Sequence, residues 1–124
     1  MRLVFDGEPR SKANAGKVWR GQYRQPSWVR RFEDGIRLRA LVQCQALGYR
    51  EFPVFAGGVR VTYRFYFKRN PTNRDLDNMR KSVNDALQGI VYKNDSQIWA
   101  DAGEKFHDKD NPRIEMEVNE YELP

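Results

Sequence analysis

Between Gly57 and Lys68 apolar and polar side chains alternate without a break. Val59, Val61, Tyr63, Phe65 and Phe67 fall on one face, and Arg60, Thr62, Arg64, Tyr66 and Lys68 on the other. Successive side chains of an extended chain point to opposite sides, so so long a period of two predicts a β-strand with one buried face. A strand of this kind needs neighbours and a cover over its apolar side, which constrains everything else in the chain. Its polar face, with Arg60, Arg64 and Lys68, suits either backbone phosphates or plain solvation.

The cover is legible as two helices. From Ser27 to Gly48, Val29, Phe32, Ile36, Ala40, Cys44 and Leu47 recur at spacings of three and four, with Ser27 as the expected N-cap and Gly48 as the stop. Arg30, Arg31, Arg37 and Arg39 fall off that stripe, as a solvated face or as phosphate contacts. A second helix is expected from about Asp77 to Gln88, burying Leu76, Met79, Val83, Ala86, Leu87 and Ile90 and ending at Gly89. Leu3-Val4-Phe5 reads as a short strand. Ser96 to Phe106, with Ile98, Ala100 and Ala102 alternating, and Arg113 to Val118, with Ile114, Met116 and Val118, read as two more, joined through a polar turn at His107 to Pro112.

The order strand, helix, strand, helix, strand, strand predicts an α+β fold: a single domain over 1–124 with a small mixed β-sheet packed against two main helices. A strand that follows a helix is free to run parallel to an earlier one, while the last two strands are expected to form an antiparallel hairpin. Residues 7–26 have neither period. That stretch, with Lys12, Asn14, Lys17, Arg20 and Arg24, is expected to be a mobile basic loop.

Composition narrows the chemistry. The 124 residues suit one domain, and 40% hydrophobic residues supply a core. No run approaches the roughly 20 apolar residues of a membrane span, and the first residues lack a signal-peptide pattern, so a cytoplasmic protein with no membrane partner is expected. One cysteine, Cys44, and one histidine, His107, exclude an internal disulfide, a cysteine-rich zinc site and a two-histidine zinc motif. Carboxylates, lysines and hydroxyls are left. The net charge of +5 points to an anionic partner, of which nucleic acid is the commonest.

The candidate chemistry lies between Arg74 and Gln97. Asp75 and Asp77 are two apart just ahead of the second helix, so in an extended chain both carboxylates can converge while Leu76 points into the core. Their mutual repulsion calls for a cation, and Mg²⁺ is a hard ion that prefers oxygen ligands. Asp95, in the turn Lys93-Asn94-Asp95-Ser96, offers a third carboxylate. Singly, Asp77 is explained as an N-cap and Asp95 as a turn residue. Lys81, four residues after Asp77, is either half of an ordinary i,i+4 ion pair or a cation beside the reacting phosphate. Arg80 is a surface or phosphate contact, and Asp85 lies a turn too far along to be a ligand.

Asp75-Leu76-Asp77-Asn78, then Lys81, then Asp85-Ala86-Leu87, then Asn94-Asp95-Ser96-Gln97 and Glu104-Lys105 resemble, in order and spacing, the RusA family of Holliday junction resolvases. The resemblance spans residues 68 to 106. It implies that Asp75, Asp77 and Asp95 bind Mg²⁺, with Mn²⁺ as a substitute, and that Lys81 is needed for cleavage. It also implies a homodimer, often carried by phages or prophages, that nicks opposing strands of branched, four-way DNA. Asn94 stands where many members have a further aspartate, and Pro9 to Asn14 match the family's opening loop only loosely. The expected activity is hydrolysis of a DNA phosphodiester, with Lys12, Lys17, Arg20, Arg60, Arg64, Lys68 and Arg74 holding the flanking backbone. Trp19, Tyr23 and Trp28 are stacking or packing groups. A non-catalytic nucleic-acid binder, or a nuclease for flaps or linear duplexes, are the alternatives.

Overall fold

The computed structural model describes residues 1–11 and 17–122, with the backbone alone at 17–19, 23 and 24. Its elements are β1 (Arg2–Asp6), β2 (Lys17–Trp19), β3 (Gln22–Arg24), α1 (Ser27–Ala46), β4 (Val59–Phe67), α2 (Leu76–Ala86), a 3₁₀ turn (Asp95–Gln97), β5 (Ile98–His107) and β6 (Arg113–Glu120). The main sheet is four-stranded in the order β1-β6-β4-β5. β6 runs antiparallel to both β1 and β4, and β5 runs parallel to β4. This is the expected α+β domain with a mixed sheet. The helices share one face of it, α1 against β1 and α2, and α2 against β5. Val59, Val61, Tyr63, Phe65 and Phe67 are all buried beneath them, as their alternation predicts.

The last two strands do not form a hairpin. β6 lies between β1 and β4, and β5 occupies the sheet edge. The residues explain the exchange. Ile114, Met116 and Val118 stand in register with Phe65, Tyr63 and Val61 and are buried, so β6 needs neighbours on both sides. β5 turns Asp101, Gly103 and Lys105 toward the helices beside Val61, Tyr63 and Phe65, a polar set suited to an edge.

That orientation comes from a β-bulge. Val59 is opposite Ile98 but Arg60 is opposite Ala100, which leaves Trp99 as an extra residue. Beyond it the alternation inverts: Ala100 and Ala102 join Arg60 and Thr62 on the open face, and not Ile98 on the apolar face as their spacing suggests. Trp99 lies against Gly58, where a Cβ would come within 2.9 Å of the indole.

Three boundaries also differ. Within 7–26, where a loop was expected, β2 and β3 pair as a separate hairpin. Its two central residues, Arg20 and Gly21, have φ of 51° and 75°, as a two-residue type I′ turn requires; Arg-Gly lacks the Asn or Asp that usually marks such a turn. Pro26, not Ser27, precedes α1, and no side chain caps it. The helix stops as expected, with Gly48 at φ 100° and Tyr49 N–H bonded to the Cys44 carbonyl, but Leu47 lies past its end and is exposed. Asp75, not Asp77, caps α2.

Candidate active site

The path from β4 into α2 is pinned from below. Lys105 Nζ, on β5, donates to the carbonyls of Pro71 at 3.0 Å and Arg74 at 2.9 Å. α2 then starts at a fixed place, and Asp75 Oδ1 accepts from Asn78 N–H at 3.1 Å as a side-chain cap. Asp77 follows in the first turn, where the helix dipole favours negative charge, and its side chain is 83% exposed. Arg80, three residues on, donates to its carboxylate. The Lys81 side chain is exposed and makes no hydrogen bond or ion pair among the described residues. The i,i+4 pair that its spacing allows is therefore not made.

Behind Asp77 lies a polar chain with no precedent in the helical and strand periods. Arg80 Nε sits 3.7 Å from Asp101 Oδ1, and Asn84 Nδ2 donates to Asp101 Oδ2 at 3.2 Å. Asn84 is buried; it accepts from the Tyr63 hydroxyl at Oδ1 and from the Tyr92 hydroxyl at its carbonyl, the latter at 2.8 Å. Burial pushes the Asp101 carboxyl above its ordinary range, against the pull of Arg80 and Asn84. Burial likewise raises both tyrosines, so they stay neutral donors. Asp101 escapes sequence reasoning because the bulge is invisible in the alternation, and Asn84 because its partner on β5 is then hidden. Gly103 was the available signal, since a glycine inside a strand marks close approach: a Cβ there would lie 3.2 Å from Arg80 Cδ.

Asp95 is placed elsewhere. β5 is parallel to β4, so α2 runs back along the sheet, and Asp95 precedes β5 at the end of α2 opposite Asp75. The 11 residues of α2 span about 16 Å. Asn94 Oδ1 caps the turn by accepting from Ser96 N–H at 3.0 Å, which gives the departure from the family pattern a structural role. Gln97 Nε2 ties the turn to the Phe55 and Gly57 carbonyls, both at 2.9 Å. The Asp95 carbonyl accepts from Ile98 N–H, while its carboxylate is exposed, with no hydrogen bond or ion pair among the described residues. Among those residues no group of three or more His, Cys, Asp or Glu could hold a metal ion. One chain thus presents Asp75 and Asp77 together, one engaged as a cap and the other by Arg80, and does not offer a three-carboxylate cage.

The expected cations fall in two places. Lys68 and Arg74 flank the segment that enters α2, with the Arg74 guanidinium 5.8 Å from the Phe67 ring. Arg74 also lines an open cleft of about 510 Å³ with Glu8, Pro9, Arg10, Ser11 and Trp28, and Arg10 stacks over Trp28 at 4.2 Å. Arg60 and Arg64 lie on the sheet face away from the helices. Arg60 is 5.2 Å from the Tyr121 ring, and Arg64 is in register with Glu104 and Glu115. Arg20 sits in the β2–β3 turn and Lys17 begins β2, while Lys12 and the side chain of Lys17 lie outside the described residues.

A small mixed sheet with a crossover helix that carries paired carboxylates at its start is an architecture suited to phosphodiester chemistry. The family model for endodeoxyribonuclease RusA matches residues 6–119, and the chain belongs to that family. It extends the resemblance of residues 68 to 106 across nearly the whole chain. The family's activity is that of a Holliday junction resolvase nuclease, generally dependent on a divalent metal. The chain is also similar to the uncharacterized protein YqaN of Bacillus subtilis (strain 168), 28% identical over 137 aligned residues that cover 94% of this chain and 89% of the relative. Among the described residues no helix is long and apolar enough to cross a membrane.

Proposed function

We propose that this chain resolves four-way DNA junctions by paired nicks, with Asp75, Asp77 and Asp95 as its essential carboxylates and Lys81 as the cation that meets the reacting phosphate. Lys81 carries the reading. A merely structural lysine four residues after an aspartate would pair with it, yet Arg80 takes Asp77 and leaves the Lys81 ammonium, near the start of α2, unpaired among the described residues. As water adds to phosphorus and the bond to the leaving oxygen breaks, negative charge grows on the phosphoryl oxygens. An ammonium held one helical turn from Asp77 is placed to offset it. Arg74 and the Arg10–Trp28 cleft that it lines would grip the flanking strand, with Lys68 at the entry to α2. Arg60 and Arg64, among acidic neighbours on the far face, would add less.

Dependence on Mg²⁺, with Mn²⁺ substituting, and a homodimer are parts of the same proposal. A divalent cation would supply Lewis acidity and an activated water; Asp75 and Asp77 are the adjacent ligands one chain offers. The test is cleavage of synthetic four-way junctions, flaps and linear duplexes, with Mg²⁺ and with chelator. Symmetric Mg²⁺-dependent nicks in the junction are expected. Equal cutting of all three substrates would replace junction resolution with general nuclease activity, and tight binding without nicking would make the chain a DNA binder. Asp95→Asn should abolish cleavage while junction binding stays intact or tightens, because a charge facing phosphate is removed. Near-normal rates at saturating Mg²⁺ would take Asp95 out of the site.

A further inference from the structure

Arg80 is not a solvated surface arginine. Its side chain is 21% exposed and lies across Gly103, where a Cβ would meet Arg80 Cδ at 3.2 Å and Leu76 Cδ1 at 3.3 Å. From that passage the guanidinium reaches carboxylates on two elements. Nη2 donates to Asp77, at the exposed start of α2. Nε faces Asp101 at 3.7 Å, outside hydrogen-bond range, and is buried with no hydrogen-bond partner among the described residues. Asp101 is itself fixed by Asn84, which Tyr63 and Tyr92 hold in place. One guanidinium is thus shared between a carboxylate locked in the α2–β5 seam and one exposed at the surface, and its bond to the locked one is incomplete.

Resting on the reading of Asp77 as a cation ligand, we propose that Arg80 is a positioning residue, the internal counter-charge of Asp77, and that Asp101 sets how firmly it holds. A divalent cation arriving at Asp77 meets the guanidinium as a competitor. It gains the carboxylate as Nη2 withdraws, and the orphaned Nε shows where Arg80 goes: a shift of about half an ångström toward Asp101 brings Nε within hydrogen-bond range. The Arg80 charge stays paired throughout. The cost of release depends on Asp101 being there to receive it.

The experiment measures Mn²⁺ binding to the full chain without DNA, from the electron paramagnetic resonance of free Mn²⁺, beside thermal unfolding. Arg80→Met combined with Asp101→Asn removes both charges together, so neither is stranded in the seam. The Mn²⁺ Kd should fall by about two- to fivefold, the range of an exposed ion pair. Asp101→Asn alone leaves Asp77 as the better partner of Arg80, and the Kd should rise by a similar factor. A pair that only packs the seam would move the melting temperature and leave both Kd values at wild type, which overturns the proposal, as would changes of the same sign. Asp77→Asn separates the two levels. If it leaves the Mn²⁺ Kd unchanged, Asp77 is no ligand and the reading of the site falls together with this inference. If it weakens binding while the other variants fail to diverge, the counter-charge role of Arg80 alone is lost.

Discussion

The two faces of the sheet each carry an arginine–carboxylate cluster, and the clusters are built to different standards. On the open face Glu115, with a side chain 9% exposed, accepts from Arg2 and, at 2.9 Å, from Arg113 Nε. Burial alone would raise its carboxyl, but the two guanidinium hydrogen bonds outweigh it and hold the group below its ordinary range. On the helix face Asp101 has one guanidinium, shared with Asp77 and too far for a hydrogen bond, and burial keeps its carboxyl raised. A settled ion pair costs the fold little. An incompletely satisfied one, next to exposed carboxylates, is the pattern of sites selected for something besides stability. If the open face serves stability and the helix face the proposed chemistry, substitutions on the two faces should have separable effects.

The largest effect belongs to Lys81. Lys81→Ala should slow single-turnover junction cleavage by a factor of about 100 to 1,000, roughly 3 to 4 kcal/mol. Its melting temperature should not change, since Lys81 has no partner among the described residues to lose. Cleavage within about twofold of wild type, about 0.4 kcal/mol of barrier, would remove Lys81 from the chemistry and blur the division.

Glu115→Gln probes the other face. Loss of charge-assisted hydrogen bonds to Arg2 and Arg113 should cost about 1 to 3 kcal/mol in urea unfolding and leave cleavage by the folded protein unchanged. A selective loss of cleavage at full stability would mean that the open face takes part in the reaction.

The two carboxylates should also give opposite pH slopes. Glu115, lowered in the fold, contributes stability present above its unfolded pKa and lost as pH falls through its folded pKa. Asp101, raised in the fold, contributes stability present below its unfolded pKa and lost as pH rises through its folded pKa. Asp101→Asn should therefore gain on wild type as pH rises through the carboxylate range, and Glu115→Gln should fall behind it. Denaturant unfolding from about pH 3 to about pH 7 measures both; parallel profiles for the two variants would cancel the contrast.

The smallest effect concerns affinity. Lys12→Ala with Lys17→Ala should flatten the slope of log K for junction binding against log salt by up to about 1.8 if both lysines meet phosphate. The same pair of changes at Arg60 and Arg64 should flatten it less, because Glu104 stands beside Arg64 in the sheet and Glu120 and Glu122 share a cleft with Arg60. An equal effect at the two places would extend the DNA path to the open face.

The candidate residues were readable without coordinates, one by one. Asp75, Asp77, Lys81 and Asp95 stand out because a motif is local: its spacing survives whatever the rest of the chain does. β4 was readable for the same reason, since one strand's alternation is its own property. The sheet position of β6 was not. Whether Ile114, Met116 and Val118 pair with β5 or with β4 depends on which partner offers a matching apolar row, and the bulge at Trp99 turns the row of β5 over. Asp101 and Asn84 were missed by that single inserted residue. The hairpin of residues 17–24 was missed because three-residue strands are too short to show a period.

By itself, then, the sequence determined the fold class, the two amphipathic helices, the central strand and the identity of the acidic and basic groups at the start of α2. These follow from periodicity and from chemistry carried within a few residues. Only the tertiary structure decided that Arg80 and not Lys81 holds Asp77, that Asp95 lies at the far end of α2, and that Asp101 faces inward to share a guanidinium with Asp77. Each of those depends on strand register and on which side chains meet across the α2–β5 seam, distances that one chain segment cannot encode alone.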